Sequence, residues 1–447
     1  LLIKNILLYN ESRAENNLDF DGTPYPIFSG GGIPTADATS QTNQVGFNQT
    51  TRQFSNELQL QANALLDGRL DFVLGAFYLD QTDRIVSTLS AFGFSPIADA
   101  QSFSYKQETT DKSYAVFMQD TYRFTDRLNF TTGIRYTWEE QSARQLPGSL
   151  WTFFLPADNQ AFPQSVKTEN PSWSISLDYA LSDDVLLYAA TRGSWRAGGY
   201  NYTLLPSDAS ARDGGNQFDP EKTQDIELGF KYNGIAMGVP LSFNFDVYNQ
   251  WVEDIQRAAN VVGFGGSPTL LTANVPKAEI SGAEMDLSVR PSDWLRFGAS
   301  LTYTDARFTD NKVEFNSTFS NSVFEYGPYA DSPKRIGTAF VELSKYLGAD
   351  VGELKFRADV FSQSKMYFSN LADTVAPGTD ISGYTLTNLR LTWAEMFGGD
   401  YVASLFVRNA FNEEYYAGGN ATGPNLGVNV AYPGQPRMVG VDIKLSF

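Results

Sequence analysis

The strongest constraint on the fold of this chain is a rhythm of connections. Segments with a two-residue hydrophobic period are joined alternately by very short and very long stretches. In Leu128–Glu139, the residues Leu128, Phe130, Ile134, Tyr136 and Trp138 alternate with Asn129, Thr131, Gly133, Arg135, Thr137 and Glu139. The same pattern runs through Thr223–Tyr232 and Leu354–Gln363. Successive side chains of a strand point to opposite faces, so each segment presents one apolar and one polar side. Thr125–Arg127, Ser182–Asp184 and Pro291–Asp293 are short joints; segments near 141–167, 198–220, 256–277, 309–333 and 416–436 are long ones. The count is about sixteen strands of ten or more residues. A sandwich has no reason to gather every long loop at one end, whereas a barrel crossing a membrane does, with short periplasmic turns and long outer loops.

The polar faces carry full charges of both signs, including Asp225, Glu227, Glu284, Asp286, Arg290, Arg296, Lys355 and Arg357. An unpaired charge in a dry core is very costly, so these faces need water or partners. They are read as a structural ladder on the inner wall of a wide barrel, with a permeation path as the alternative. Leu70–Thr82 and Arg335–Leu343 are mixed rather than cleanly alternating. Aromatics gather near strand ends, among them Phe124, Trp138, Tyr179, Trp251 and Trp294, as interfacial girdles require. The last segment, Arg437–Phe447, sets Val439, Val441, Ile443, Leu445 and Phe447 on one side. No apolar run reaches the ~20 residues of a spanning helix.

Composition removes several functions. A net charge of −18 argues against nucleic acid as a partner, because phosphate binding needs clustered Lys and Arg. There is no Cys and no His, so disulfides, thiolate and imidazole metal sites and the Ser-His-Asp triad are all absent. No catalytic residue, metal site or cofactor is expected. The adjacent Asp183 and Asp184 are explained by a solvated turn. Asn17, Asp19, Asp21 and Gly22 imitate the start of a calcium loop, but its twelfth position is Phe28, so the motif fails. The glycines at 30–32 lack the following Lys-Ser/Thr of a phosphate loop. The chain opens inside a strand-like run at Leu1 without Met or a signal peptide, and is read as lacking its natural N-terminus.

Five stretches, in order, resemble the barrel half of TonB-dependent outer-membrane receptors. They are NLDFDGTP (Asn17–Pro24), LYAATRGSWRAGGYN (Leu187–Asn201), FDPEKTQDIELGFKY (Phe218–Tyr232), EISGAEMDLSVRPSDWLRFGASLTYTDARF (Glu279–Phe308) and LFVRNAFNEEYY (Leu405–Tyr416). The resemblance covers essentially residues 1–447. It implies an all-β transmembrane antiparallel barrel, of which sixteen strands of about 22 are seen here. It also implies an N-terminal plug and first strands outside this sequence. The expected setting is the bacterial outer membrane. The expected partners are outer-membrane lipid, the protein's own plug, TonB and a ferric-siderophore-type ligand.

The implied function is energised uptake of a bulky scarce nutrient, foremost an iron–siderophore complex. Cobalamin or an oligosaccharide is a second class of ligand, and a passive porin-like channel is a second mechanism. An outer-membrane enzyme would need an activated nucleophile or base and is disfavoured. In Val185–Ala197, Leu187, Ala189 and Trp195 share the lipid side, which points Arg192 and Arg196 inward near the outer rim. They are candidate anion ligands, and pairing with carboxylates of the wall or plug is the preferred reading of the two. Gly198 and Gly199 read as a hinge, with Tyr200 and Tyr202 as candidate contacts to a ring-bearing ligand. Val441, Ile443, Leu445 and Phe447 read as a C-terminal membrane-insertion signal.

Overall fold

The computed structural model describes residues 1–19, 44–89, 103–146, 164–201, 217–262, 268–316, 321–371, 378–421 and 429–445. One antiparallel sheet dominates it. Its strands are β1 (Leu2–Asp19), β2 (Gln44–Ala64), β3 (Leu70–Leu89), β4 (Phe103–Thr125), β5 (Leu128–Gln145), β6 (Gln164–Ala180), β7 (Val185–Arg196) and β8 (Glu221–Ala236). They continue as β9 (Val239–Val262), β10 (Pro268–Ser292), β11 (Leu295–Asp310), β12 (Arg335–Tyr346), β13 (Glu353–Gln363), β14 (Tyr384–Ala394), β15 (Tyr401–Arg408) and β16 (Met438–Leu445). The sixteen strands pair in chain order, each with its sequence neighbour. Among the described residues β1 pairs only with β2, and β16 only with β15. No helix is long and apolar enough to cross a membrane, a statement that leaves crossing by strands open.

Cross-strand register keeps one face apolar around the whole sheet. Leu295, Leu343, Phe356, Leu391, Leu405 and Val441 form a single row over six strands. This face stays uncovered: Leu228 is 52 % exposed, and Val441 and Ile443 are 64 % and 70 % exposed. In water such a surface would drive aggregation, whereas lipid is its natural solvent. The limit of the apolar band is visible along β11. Leu295, Phe297, Ala299, Leu301 and Tyr303 give way on the same face to Asp305 and Arg307. There Lys334 reaches Asp305 at 2.6 Å, and Arg307 reaches Glu279 at 2.8 Å.

The inner face carries the expected ladder. Arg357 pairs with Asp359 at 2.8 Å and Glu342 at 3.5 Å, Arg390 with Asp442 at 2.6 Å, and Lys355 with Glu353 at 2.8 Å. Arg290 lies at a turn and pairs with Asp293. Several large rings on this face lie flat over a glycine of the neighbouring strand. Tyr188 lies over Gly229, where a Cβ would stand 2.1 Å from its ring, and Phe406 lies over Gly440, where it would stand 2.3 Å away. Cations cover these rings: Lys231 lies 5.1 Å from the Tyr188 centroid, and Arg390 and Arg408 lie 5.7 and 5.3 Å from that of Phe406. The same packing explains the two mixed strands. Phe117, beside Phe77, covers Gly75 under Arg135, and Phe340 covers Gly298 under Arg357.

Several stretches read as loops are strand instead. β9 and β10 run for 24 and 25 residues, and β2 and β4 also extend beyond the alternating part. Above the apolar band, β9 and β10 meet later segments in a buried cluster of Val252, Ile255, Leu271, Ala273, Val275, Ala278, Tyr326 and Leu371. Short hairpins at 312–325 and 416–433 stand in the long connections.

Candidate functional site

The candidate site lies at the outer end of the inner face, where β7–β10 rise past the lipid band. Arg192 faces Asp225 directly across β7 and β8. Its Nε donates to both carboxylate oxygens at 3.2 and 2.9 Å, its backbone N donates to Oδ1 at 2.9 Å, and its Nη2 donates to Glu227. Tyr188 donates to the other oxygen of Glu227 at 2.7 Å. Arg192 is thereby neutralised twice over. Arg196 faces Glu221 and donates to it at 2.9 Å; the backbone N of Gln256 donates to the same oxygen at 2.7 Å. The arrangement matches the pairing alternative for both arginines.

Gly198 and Gly199, expected as a hinge, sit in tight contacts. A Cβ on Gly198 would stand 2.3 Å from the Phe218 carbonyl oxygen, and one on Gly199 would stand 2.4 Å from Gln141 Oε1. Asn201 closes this strap against β10, donating to the Thr272 carbonyl at 2.7 Å and accepting from its N–H at 2.7 Å. Tyr200 pairs with Gln217, and burial pushes its hydroxyl pKa up. Tyr202 and Phe447 lie outside the described residues, as do Asp21, Gly22, Phe28 and the glycines at 30–32. Val441, Ile443 and Leu445 stand on the outward face as read.

Sequence reasoning missed a third arginine. Asp254 takes a positive φ of 52° within β9, and beyond it Ile255 and Arg257 pair in unbroken register with the core residues Val275 and Ala273. Arg257 donates to the Tyr329 hydroxyl and to the Gln256 carbonyl, and lies 5.0 Å from the Tyr329 ring centroid. Tyr329 stacks on Phe308 at 5.0 Å and 28°, and Phe308 meets Tyr326 edge-on at 5.9 Å. Burial pushes both tyrosine hydroxyls up. Among the described residues Arg257 has no carboxylate ion-pair partner, in contrast to Arg192 and Arg196. The only hint in the sequence is the Tyr326/Tyr329 pair within a long connection. Among the described residues no cluster of three or more ligating side chains could hold a metal ion.

The family model described as TonB dependent receptor-like, beta-barrel matches residues 3–412. The chain belongs to this family. Its setting is accordingly the bacterial outer membrane, and its family is one of receptors rather than known enzymes. A pesticin receptor of Yersinia pestis is 22% identical over 394 residues, covering 87% of this chain and 51% of that protein. The ferric yersiniabactin uptake receptor FyuA of Yersinia pestis matches with a TM-score of 0.66 at 18% identity, over 90% of this chain and 55% of that one. The siderophore receptor PiuA of Acinetobacter baumannii matches with a TM-score of 0.70 at 15% identity, over 98% and 61%. The chain thus spans about half the length of the curated relatives it matches. At these identities the structural matches establish the receptor-barrel fold.

Proposed function

We propose that this receptor barrel serves TonB-dependent, energised uptake of a ferric-siderophore-type ligand across the outer membrane. The observation that carries the reading is the family match over residues 3–412. The similarity to the ferric yersiniabactin uptake receptor FyuA and the siderophore receptor PiuA supports the ligand class. In the full-length protein a plug precedes the sequence given, occupies the barrel and engages TonB. The charged inner face is the seat of that plug, and Val441, Ile443, Leu445 and Phe447 are the C-terminal membrane-insertion signal of the barrel.

At the mouth, Arg257 and Tyr329 form the ligand shelf. Arg257 carries a charge that no carboxylate of the described residues cancels, and Tyr329 offers a flat ring. A negatively charged chelate with aromatic groups suits both. Arg192 and Arg196 hold the strands beneath it, and Tyr200 and Tyr202 are further candidate ligand contacts. The protein is a transporter and carries no catalytic centre.

The test is radio-iron uptake by cells lacking their other iron receptors, using the full-length protein and a panel of ferric chelates. Uptake of one chelate that stops on adding a protonophore or deleting TonB is the expected result. Uptake that persists without energy would make the barrel a passive channel.

A further inference from the structure

On the outward face near the short-turn end, the sheet forms a groove of about 600 Å³ lined by Trp294, Leu343, Lys345, Leu354, Phe356 and Leu391. We propose that this groove is a binding site for one anionic phospholipid, with an acyl chain between the apolar residues and the phosphate at Lys345.

Register places these residues together. Leu343 faces Phe356, and Phe356 faces Leu391, in one row of the apolar band. Lys345 faces Leu354 one step nearer the turn. The Trp294 carbonyl accepts from Ser344 N at 2.9 Å, which fixes the base of the indole beside β12. The volume falls within the range of ordinary small-ligand clefts.

Two polar groups at the rim give the groove its chemistry. Among the described residues Lys345 has no ion-pair partner, while the neighbouring cation Lys355 is on the opposite face and engaged by Glu353. Trp294 is 59 % exposed, and its indole N–H has no acceptor among the described residues. Trp393 differs, since its N–H donates to the Val351 carbonyl at 2.7 Å. The carboxylate nearest in sequence, Asp293, is engaged by Arg290. A cation and a free N–H beside a hydrocarbon slot, at interfacial depth, suit a phosphate diester with a long chain.

Brominated lipids quench nearby tryptophan and provide the test. The full-length receptor is placed in phosphatidylcholine nanodiscs, and brominated phosphatidylglycerol or brominated phosphatidylcholine is titrated in. The signal from the groove is the quenching lost in Trp294→Phe. Expected is an about fivefold preference for phosphatidylglycerol, the effect of one lysine at a membrane surface. Lys345→Gln should remove the preference, and Lys345→Arg and Lys355→Gln should keep it. Equal quenching by the two lipids in the unaltered protein overturns the proposal. So does a preference that survives Lys345→Gln, or one that Lys355→Gln removes equally, since bulk charge would then explain it. A heat-mobility shift on gels verifies that each variant is folded.

Discussion

Arg192 and Asp225 face each other across β7 and β8 and are joined three times, twice through the guanidinium Nε and once through the Arg192 backbone N–H. An arginine so engaged works as a rivet between strands. Arg192→Gln is expected to lower the stability of the refolded barrel by about 0.5–1 kcal/mol, as for other half-exposed ion pairs. Ferric-chelate affinity should change less than about threefold on the same scale. Urea unfolding in vesicles and equilibrium binding measure the two separately.

Arg257→Gln should behave in the opposite way. Its partners are a ring, a hydroxyl and a carbonyl rather than carboxylates. Loss of a charge-assisted contact to the ligand should weaken binding at least about tenfold with little change in stability. Tyr329→Ala should weaken it also, by removing the surface on which the guanidinium rests. An affinity unchanged in Arg257→Gln would remove this shelf from the ligand site.

The inner-face rings predict a coupled pair. Gly229→Ala drives a methyl into the Tyr188 ring and should cost about 1–3 kcal/mol. In Gly229→Ala/Tyr188→Ala the clash disappears. The combined loss should therefore be smaller than the sum of the single losses, as a double-mutant cycle would measure.

Acid should loosen the outer rim. The hydrogen bond from Lys334 holds Asp305 below the usual carboxylate range, and that from Arg307 does the same for Glu279. Carboxyls depressed in the folded state add stability that is complete above their unfolded values near ~4 and vanishes as pH falls through the folded values. Amide protection factors in residues 301–309 should therefore be high and level above about pH 5 and fall below about pH 4. Lys334→Met should lower the protection at neutral pH and weaken its dependence on acid.

The two faces of β16 should respond differently to charge. Val441→Arg puts a cation into the apolar band and should cost about 2–4 kcal/mol near mid-depth. Asp442→Asn, one residue on, removes only a half-exposed partner of Arg390 and should cost less than about 1 kcal/mol. Equal costs at the two positions would mean that the faces are wrongly assigned.

Much of this was legible because a period of two is hard to disguise. Ile226, Leu228 and Phe230 could lie only on one side of β8, and every one of the sixteen strands was foreseen. What escaped reading follows from two physical causes. Beyond Tyr303 the outward face no longer meets lipid, so alternation stops while strand pairing continues, and the extensions of β9 and β10 read as loop. Arg257 lies just beyond Asp254, whose positive φ falls inside β9, and a single backbone torsion of this kind leaves no mark in composition. Phe77 and Phe340 blurred their strands because each is an apolar ring on the inner face covered by an arginine, Phe77 by Arg135 and Phe340 by Arg357.

The great length of β9 and β10 bears on where a ligand is first met. At about 3.3 Å per residue their ribbon runs to roughly 80 Å, and the apolar band accounts for only about 25 Å of height. Even steeply tilted, the strands lift the mouth tens of ångströms above the hydrocarbon. Ionic screening acts over about 8 Å at physiological salt. The rim therefore stands several screening lengths from the phosphates of the surrounding leaflet. An anionic chelate arriving there is sorted by the local charges of the rim and hardly at all by the repulsion of the cell surface beneath it.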